Sequence, residues 1–254
     1  MSKLKVYDDS KYINKNTITL YANTNEEFLK TPVKGVIVEL PGLGGGSCLG
    51  GGIERCSYEA DFAIECGEQG VFVAYMFPGP WSWGNRGTAR ITDAVIRAIA
   101  DKYDLGDNFP ICVCGGSMGG EGALNFACDS NLKITACAAA CPASDVYETM
   151  NICDDHPRTV ISAIATYDMS FDEAIDSISP IKRVGEFPEI PYFVCSDGID
   201  YYCPSETCDK LVAMMKDRGL DVIYRQQPGC QHGEFTPEVW AEIHEFILNH
   251  ALGK

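Results

Sequence analysis

Short apolar runs alternate along this chain with longer stretches in which apolar residues recur every three or four positions. The short runs are Val33–Leu40, Val71–Phe77, Ile111–Cys114, Ile134–Ala140, Pro191–Cys195 and Leu220–Arg225. The first two are closed by Pro41-Gly42 and Pro78-Gly79-Pro80. Such runs predict strands covered on both faces, because they lack the polar half of an alternating pattern. Helical spacing falls at 54–69, 88–104, 205–218 and 237–250. In the second of these, Ile91, Ala94, Val95, Ala98 and Ile99 share one face, with charges on the other; in the last, Val239, Ile243 and Phe246 do so. A further helix of small residues is predicted from Met118 to about Cys128. The first thirty residues alternate polar and apolar, as in Thr17-Ile18-Thr19-Leu20-Tyr21, and predict antiparallel strands. Segment 144–180 interrupts the rhythm and is too long for an ordinary connection, which predicts an inserted helical cap. Strands alternating with amphipathic helices define an α/β class, a mostly parallel sheet flanked by helices, expected here as one domain over residues 1–254.

Composition agrees with this and narrows the partners. Of 254 residues, 46% are hydrophobic and 22% charged, enough apolar material for one large core. The net charge of −16 repels phosphate backbones and anionic lipid, so neither nucleic acid nor a membrane is an expected partner. The polar start Met1-Ser2-Lys3-Leu4-Lys5 has no apolar segment behind it, and no run reaches the roughly 18 residues of a membrane span. A cytoplasmic protein is the expectation. The 13 cysteines are odd in number, scattered, and free of any C-x-x-C pair. They read as small buried apolar residues rather than as a disulfide framework or zinc ligands, and no metal or cofactor is expected. Oligomeric state has no signature in the sequence.

The chemistry enters at Gly115-Gly116-Ser117-Met118-Gly119, which fits G-x-S-x-G between a strand and a helix of small residues. Glycines beside the serine let backbones approach closely, and the turn presents the hydroxyl near the positive end of the helix. Ser117 is therefore the candidate nucleophile. The glycine stretch 44–52 lacks the Gly-Lys-Ser/Thr ending of a phosphate loop and is not read as one.

With this motif in place, the chain resembles the α/β-hydrolase superfamily over about residues 33–250. Its Gly115–Gly120 stretch is similar to the prolyl oligopeptidase-like and carboxylesterase branch. The resemblance implies an acid in the strand and loop from Pro191 to Pro204, where the family's position falls on Asp200. Ser196-Asp197 stands where His-Gly is common, so Asp197 stays open as a rival. Pro228-Gly229-Cys230-Gln231-His232-Gly233 resembles the histidine loop and implies His232 as the general base. His156 lies in the expected cap, and His244 and His250 lie in the terminal helix, where a solvated role is expected. The resemblance further implies an oxyanion hole from the backbone N–H of Met118 and that of Leu43, with Gly44 as the alternative donor. Trp81 and Trp83 follow the strand ending near Phe77, in a loop that approaches the active site in this fold, and are candidates for binding an aromatic or sugar group, ordinary packing being the other reading.

The implied activity is serine hydrolysis of small acyl esters, with a small-molecule ester as partner. A prolyl oligopeptidase-like peptidase acting on short peptides is the alternative. A hydrolase-fold binding protein without catalysis is a second one, disfavoured by the complete Ser117, Asp200, His232 set. Such peptidases usually carry a large accessory domain ahead of the hydrolase domain. This chain has only about thirty residues there, which favours the esterase.

Overall fold

The computed structural model describes residues 8–43, 61–154 and 156–254. Seven strands form one sheet in the order β1-β3-β2-β4-β5-β6-β7. They are β1 (Ala22–Thr24), β2 (Gly35–Leu40), β3 (Val71–Met76), β4 (Ile111–Gly116), β5 (Ala136–Ala140), β6 (Tyr192–Asp197) and β7 (Val222–Gln227). All neighbours pair in parallel except β1, which runs antiparallel to β3. Strands β3, β5 and β6 are buried along their whole length, as runs without polar alternation require. The edge strand β7 alternates half-buried and exposed residues instead.

Helices cover both faces. On one side α2 (Arg86–Tyr103), α3 (Met118–Asp129) and α8 (Ser205–Asp217) supply Val95, Ile99, Leu124, Leu211 and Met215 to the core. On the other, α1 (Asp61–Glu68) and α9 (Pro237–Ala251) supply Phe62, Cys66, Ile243 and Ile247. Helix α2 starts where the Asn85 side chain accepts the Thr88 N–H, satisfying one free donor of its first turn. The helix expected over 54–69 is observed from Asp61; positions 54–60 lie outside the described residues. Every cysteine among the described residues is a free thiol, most of them buried, in line with the small-apolar reading.

The N-terminal region differs from its expectation. Among its described residues it holds, instead of several antiparallel strands, 3-10 turns at Ser10–Tyr12, Ile18–Leu20 and Glu26–Phe28, and only β1 joins the sheet. The alternation at Thr17–Tyr21 does not sort the residues by face: Ile18 is buried while Leu20 is 72% exposed. The Thr17 hydroxyl oxygen accepts the Asn14 N–H and closes a local turn that competes with strand pairing.

Between β5 and β6, across the segment read as a cap, lie α4 (Val146–Met150), α5 (His156–Ile164), α6 (Phe171–Asp176) and α7 (Pro180–Arg183). Two of them are started by short-range caps: Asp145 accepts two N–H groups at α4, and Ser170 with Glu173 forms a reciprocal capping box at α6. Their apolar faces, including Val146, Val160, Ile164 and Ile175, pack over Trp83 and Met118 at the carboxyl end of the sheet. Arg183 anchors the far end of the segment, donating to both Asp129 carboxylate oxygens and to Asn125 Oδ1 on α3.

One carboxylate in the sheet carries a pH dependence. Glu39 on β2 sits beside Tyr75 on β3. Burial pushes its carboxyl up to about 7, against the lowering effect of the Tyr75 hydroxyl. The unfolded chain titrates this group near 4.5, so the folded state favours the proton. Its contribution to stability is therefore present at low pH and is lost as pH rises from about 4.5 through about 7. Glu39→Gln should flatten that part of the profile. Thermal melts should show the variant gaining on the wild type between acidic and mildly alkaline buffer; an equal gap in both would remove Glu39 as the cause.

Candidate active site

The strand order reverses between β2 and β4: the chain passes from β2 outward to β3, then crosses back to β4. In open α/β sheets the crevice at such a switch point, beyond the carboxyl ends of the strands, is where ligands bind. Here it is bounded by the loop after β2, Pro41–Leu43, and by the turn after β4, at Ser117. The two come close: a side chain on Gly42 would place its Cβ 3.5 Å from the Gly116 carbonyl oxygen and 3.8 Å from Ser117 Cβ.

Ser117 joins β4 to α3 at φ 58 and ψ −126, a conformation that costs a residue with a Cβ about 1–3 kcal/mol. The turn is held by its backbone. The Ser117 N–H donates to Ala140 on β5, and its carbonyl accepts the Glu121 N–H of α3. Close approach of the helix requires glycine at two places. A Cβ on Gly119 would lie 2.1 Å from the Leu40 carbonyl oxygen, and one on Gly115 2.4 Å from that of Gly119. Met118, buried, is the first residue of α3, where an N–H has no acceptor within the helix. Leu43 lines the same cavity as Ser117. Gly44, the other donor considered, and the glycine stretch 44–52 lie outside the described residues.

His232, in the loop between β7 and α9, meets Asp200, in the loop after β6. Its Nδ1 lies 2.7 Å from Asp200 Oδ2, and the Asp200 side chain is fully buried. The other carboxylate oxygen, Oδ1, accepts the N–H groups of Tyr202 and Cys203, each at 2.8 Å. A carboxylate with these three donors is fixed in place. It also fixes the imidazole tautomer, since Nδ1 carries the hydrogen that faces it. Asp197 does not bond within its own turn. Its Oδ2 accepts the Gly233 N–H at 2.8 Å, so it clamps the backbone of the histidine loop. Burial, assisted by the neighbouring Asp200 charge, holds its carboxyl above the usual range, although the Gly233 N–H pulls the other way.

Ser117 and His232 face one cavity of about 180 Å³, walled further by Leu43, Trp83 and Ala143 and by Thr149 and His156 of the inserted segment. Trp83 is 1% exposed and its indole N–H donates to the Thr159 hydroxyl, so it forms a fixed apolar wall. Trp81 is not among the residues lining this cavity; its ring packs under the Arg158 guanidinium, 5.2 Å away. Arg158, on α5, takes that indole, and the packing reading fits it. His156 is a wall residue that its position in the sequence did not reveal. It is nearly buried, its Nδ1 bonded to the Thr149 carbonyl, and its ring meets Trp83 edge-on at 5.9 Å. Tyr202 sets its ring edge against His232 at 5.4 Å. His244 and His250, expected to be solvated, are both half-buried. His244 stacks on Phe62 at 4.0 Å, where burial lowers its pKa, and His250 bonds the Phe246 carbonyl. A larger recess of about 680 Å³ opens by Pro110 and Pro191, at the opposite ends of the strands from Ser117.

No protein-family model and no curated protein matches the chain. Solved structures do match. A puromycin-hydrolysing peptidase of Mycobacterium tuberculosis is similar at TM-score 0.67 and 17% identity, over 88% of this chain and 35% of its own. Esterase B of Lactobacillus rhamnosis (HN001) is similar at TM-score 0.60 and 13% identity, over 88% and 78% of the two chains. Candida antarctica lipase A is similar at TM-score 0.67 and 12% identity, over 91% and 73%. This chain spans about a third of the length of the puromycin-hydrolysing proteins it matches. At these identities the likeness is one of fold. The chain has the α/β-hydrolase fold, and its neighbours include peptidases, esterases and a lipase. No helix among the described residues is long and apolar enough to cross a membrane.

Proposed function

We propose that the protein is a serine hydrolase that cleaves small acyl esters through an acyl-enzyme. One observation carries this reading: His232, bonded through Nδ1 to buried Asp200 at 2.7 Å, shares a small cavity with Ser117 on its strained turn. With Nδ1 carrying the hydrogen, the lone pair of Nε2 is free to act as base. His232 then takes the Ser117 proton as the hydroxyl attacks the acyl carbon, and Asp200 stabilises the resulting imidazolium. The tetrahedral oxyanion is received by the backbone N–H groups of Met118 and Leu43. The proton passes from His232 to the leaving alcohol, and a water repeats the sequence on the acyl-enzyme. The ester and water are the reactants this chemistry requires.

Cavity size favours compact substrates. About 180 Å³ with Trp83, Leu43 and Ala143 in its walls suits a short or aryl acyl group better than a long chain. The peptidase reading draws on neighbours whose names describe peptide or puromycin hydrolysis. Amides need the leaving nitrogen protonated and start from a more resonance-stabilised ground state, so they set a stricter test of leaving-group geometry. The ratio of kcat/KM for an acetyl or aryl ester to that for a prolyl amide decides between the two. The ester should turn over faster, and long-chain triglycerides poorly. An amide that equals or beats the ester replaces this reading with the peptidase.

A further inference from the structure

The carboxyl ends of β5 and β6 bring together a set of groups that ester hydrolysis does not account for. Cys141 directly follows β5, Asp197 ends β6, and Asp200 and His232 lie in the adjoining loops. A thiol sulfur, two carboxylate oxygens and an imidazole nitrogen from these four residues all lie within 4.8 Å of one another. Cys141, Asp197 and Asp200 are buried, and His232 is half-buried.

Asp197 is 0% exposed, and its Oδ2 accepts the Gly233 N–H, but its Oδ1 receives no hydrogen bond. A buried carboxylate oxygen without a donor forfeits its hydration with nothing in return. Of the group, only the Cys141 thiol donates toward the Asp197 carboxylate, and it does so weakly. Asp200 adds another carboxylate, and the Cys141 sulfur is a weak donor but a good metal ligand once deprotonated. Cys141 is also held at φ 38, a backbone region residues with a Cβ rarely occupy.

We propose that Cys141, Asp197, Asp200 and His232 form a binding site for a thiophilic divalent cation, zinc in the first place, whose occupation switches the hydrolase off. Zinc accepts sulfur, nitrogen and oxygen together in a tetrahedron, with bonds of about 2.0–2.3 Å. Ligand atoms in such a tetrahedron stand roughly 3.3–3.6 Å apart, so the widest pairs need to draw in by about 1 Å while Nδ1 of His232 and Asp200, 2.7 Å apart, open slightly. Magnesium and calcium want six or more oxygens and fit poorly. On binding, the Cys141 thiol gives up its proton to solvent, and three anionic ligands then surround a dication. The metal takes Asp200 and Nδ1 of His232, and the hydrogen that Nδ1 carried passes through solvent to Nε2, which then has no lone pair to act as base. The hydrogen bond that orients His232 is broken, and Ser117 is left without an activated base. The loss of activity rests on the serine hydrolase reading; the binding does not.

The test uses the full chain with reduced thiols, stripped of metal and titrated with zinc chloride against a chromogenic chelator, and separately with cobalt chloride. One equivalent should bind, cobalt should show a thiolate-to-metal charge-transfer band, and ester turnover should fall with occupancy and return on adding a strong chelator. Cys141→Ser and Asp197→Asn should each weaken affinity and inhibition by about tenfold or more, each judged against its own zinc-free rate. Cys153→Ser, on a cysteine outside the group, should bind as the wild type does. Unchanged zinc affinity in Cys141→Ser, a cobalt spectrum without the thiolate band, or no stoichiometric binding overturns the site. Stoichiometric binding that leaves turnover intact overturns the switch. Should the protein show no ester turnover, the titration and the cobalt spectrum still decide the site, so failure of one reading is not mistaken for failure of the other.

Discussion

Replacing Ser117 with alanine should lower ester turnover by about five to six orders of magnitude and leave the thermal unfolding midpoint close to that of the wild type. The size follows from the role. Without the hydroxyl there is no acyl-enzyme, and His232 and Asp200 have no proton to move, so the three groups fail together. The intact fold follows from the turn. Ser117 is held by its N–H on Ala140 and its carbonyl under Glu121, and alanine keeps both bonds and the same Cβ at φ 58. A fluorophosphonate probe, which phosphonylates activated serines, should label the wild type at Ser117 and leave the variant unlabelled. Turnover that survives within tenfold, or a label found by mass spectrometry on another serine, would move the nucleophile elsewhere.

Asp200→Asn should cost about four orders of magnitude in kcat, roughly 5 kcal/mol of transition-state stabilisation. An amide can present its NH₂ to Nδ1 and so favour the tautomer in which Nε2 carries the hydrogen and cannot act as base. It also withdraws the negative charge that stabilises the imidazolium. Asp197→Asn should cost far less. Its bond is to the Gly233 N–H, and the amide oxygen of asparagine can accept that hydrogen just as the carboxylate does. Asp197→Ala, which loses the acceptor and frees the histidine loop, should fall between the two. Measuring kcat for the three variants decides the assignment. Asp197→Asn as the most damaging of them would make Asp197 the acid.

The extent to which the sequence foretold this molecule varies with the distance over which each signal acts. Strands β2 to β6 and the helices α2, α3, α8 and α9 were legible because burial on both faces, or on one stripe, leaves a mark within a few neighbouring residues. The turn at Ser117 was legible for the same reason: its constraint is local, a tight bend needing glycine on either side. Thr17–Tyr21 shows the limit of the approach. Its alternation imitates a strand, but a side-chain bond from Asn14 to Thr17 closes a turn first. Trp81 and Trp83 are two residues apart in the same loop, yet only Trp83 faces the cavity. Which of them does so is decided by Thr159 and Arg158 in the inserted segment, far along the chain. The sequence left Asp197 open as a rival to Asp200 because its acceptor role toward Gly233 joins two loops that nothing in either one announces. The meeting of Cys141 with Asp197, Asp200 and His232 depends on three strand ends and was invisible to any reading by spacing.

The glycine seam between α3 and the sheet bears on how far this sequence can drift. Over most of the core an exchange such as valine for isoleucine is absorbed by neighbouring side chains shifting slightly. At Gly115 and Gly119 the opposing atoms are backbone carbonyls, and no rotamer change can clear them. One added carbon would have to push the helix itself, and Ser117, lying between the two glycines, would travel with it. Natural variants are thus held at the seam by backbone clearance, and elsewhere in the layers only by the looser demand for apolar bulk.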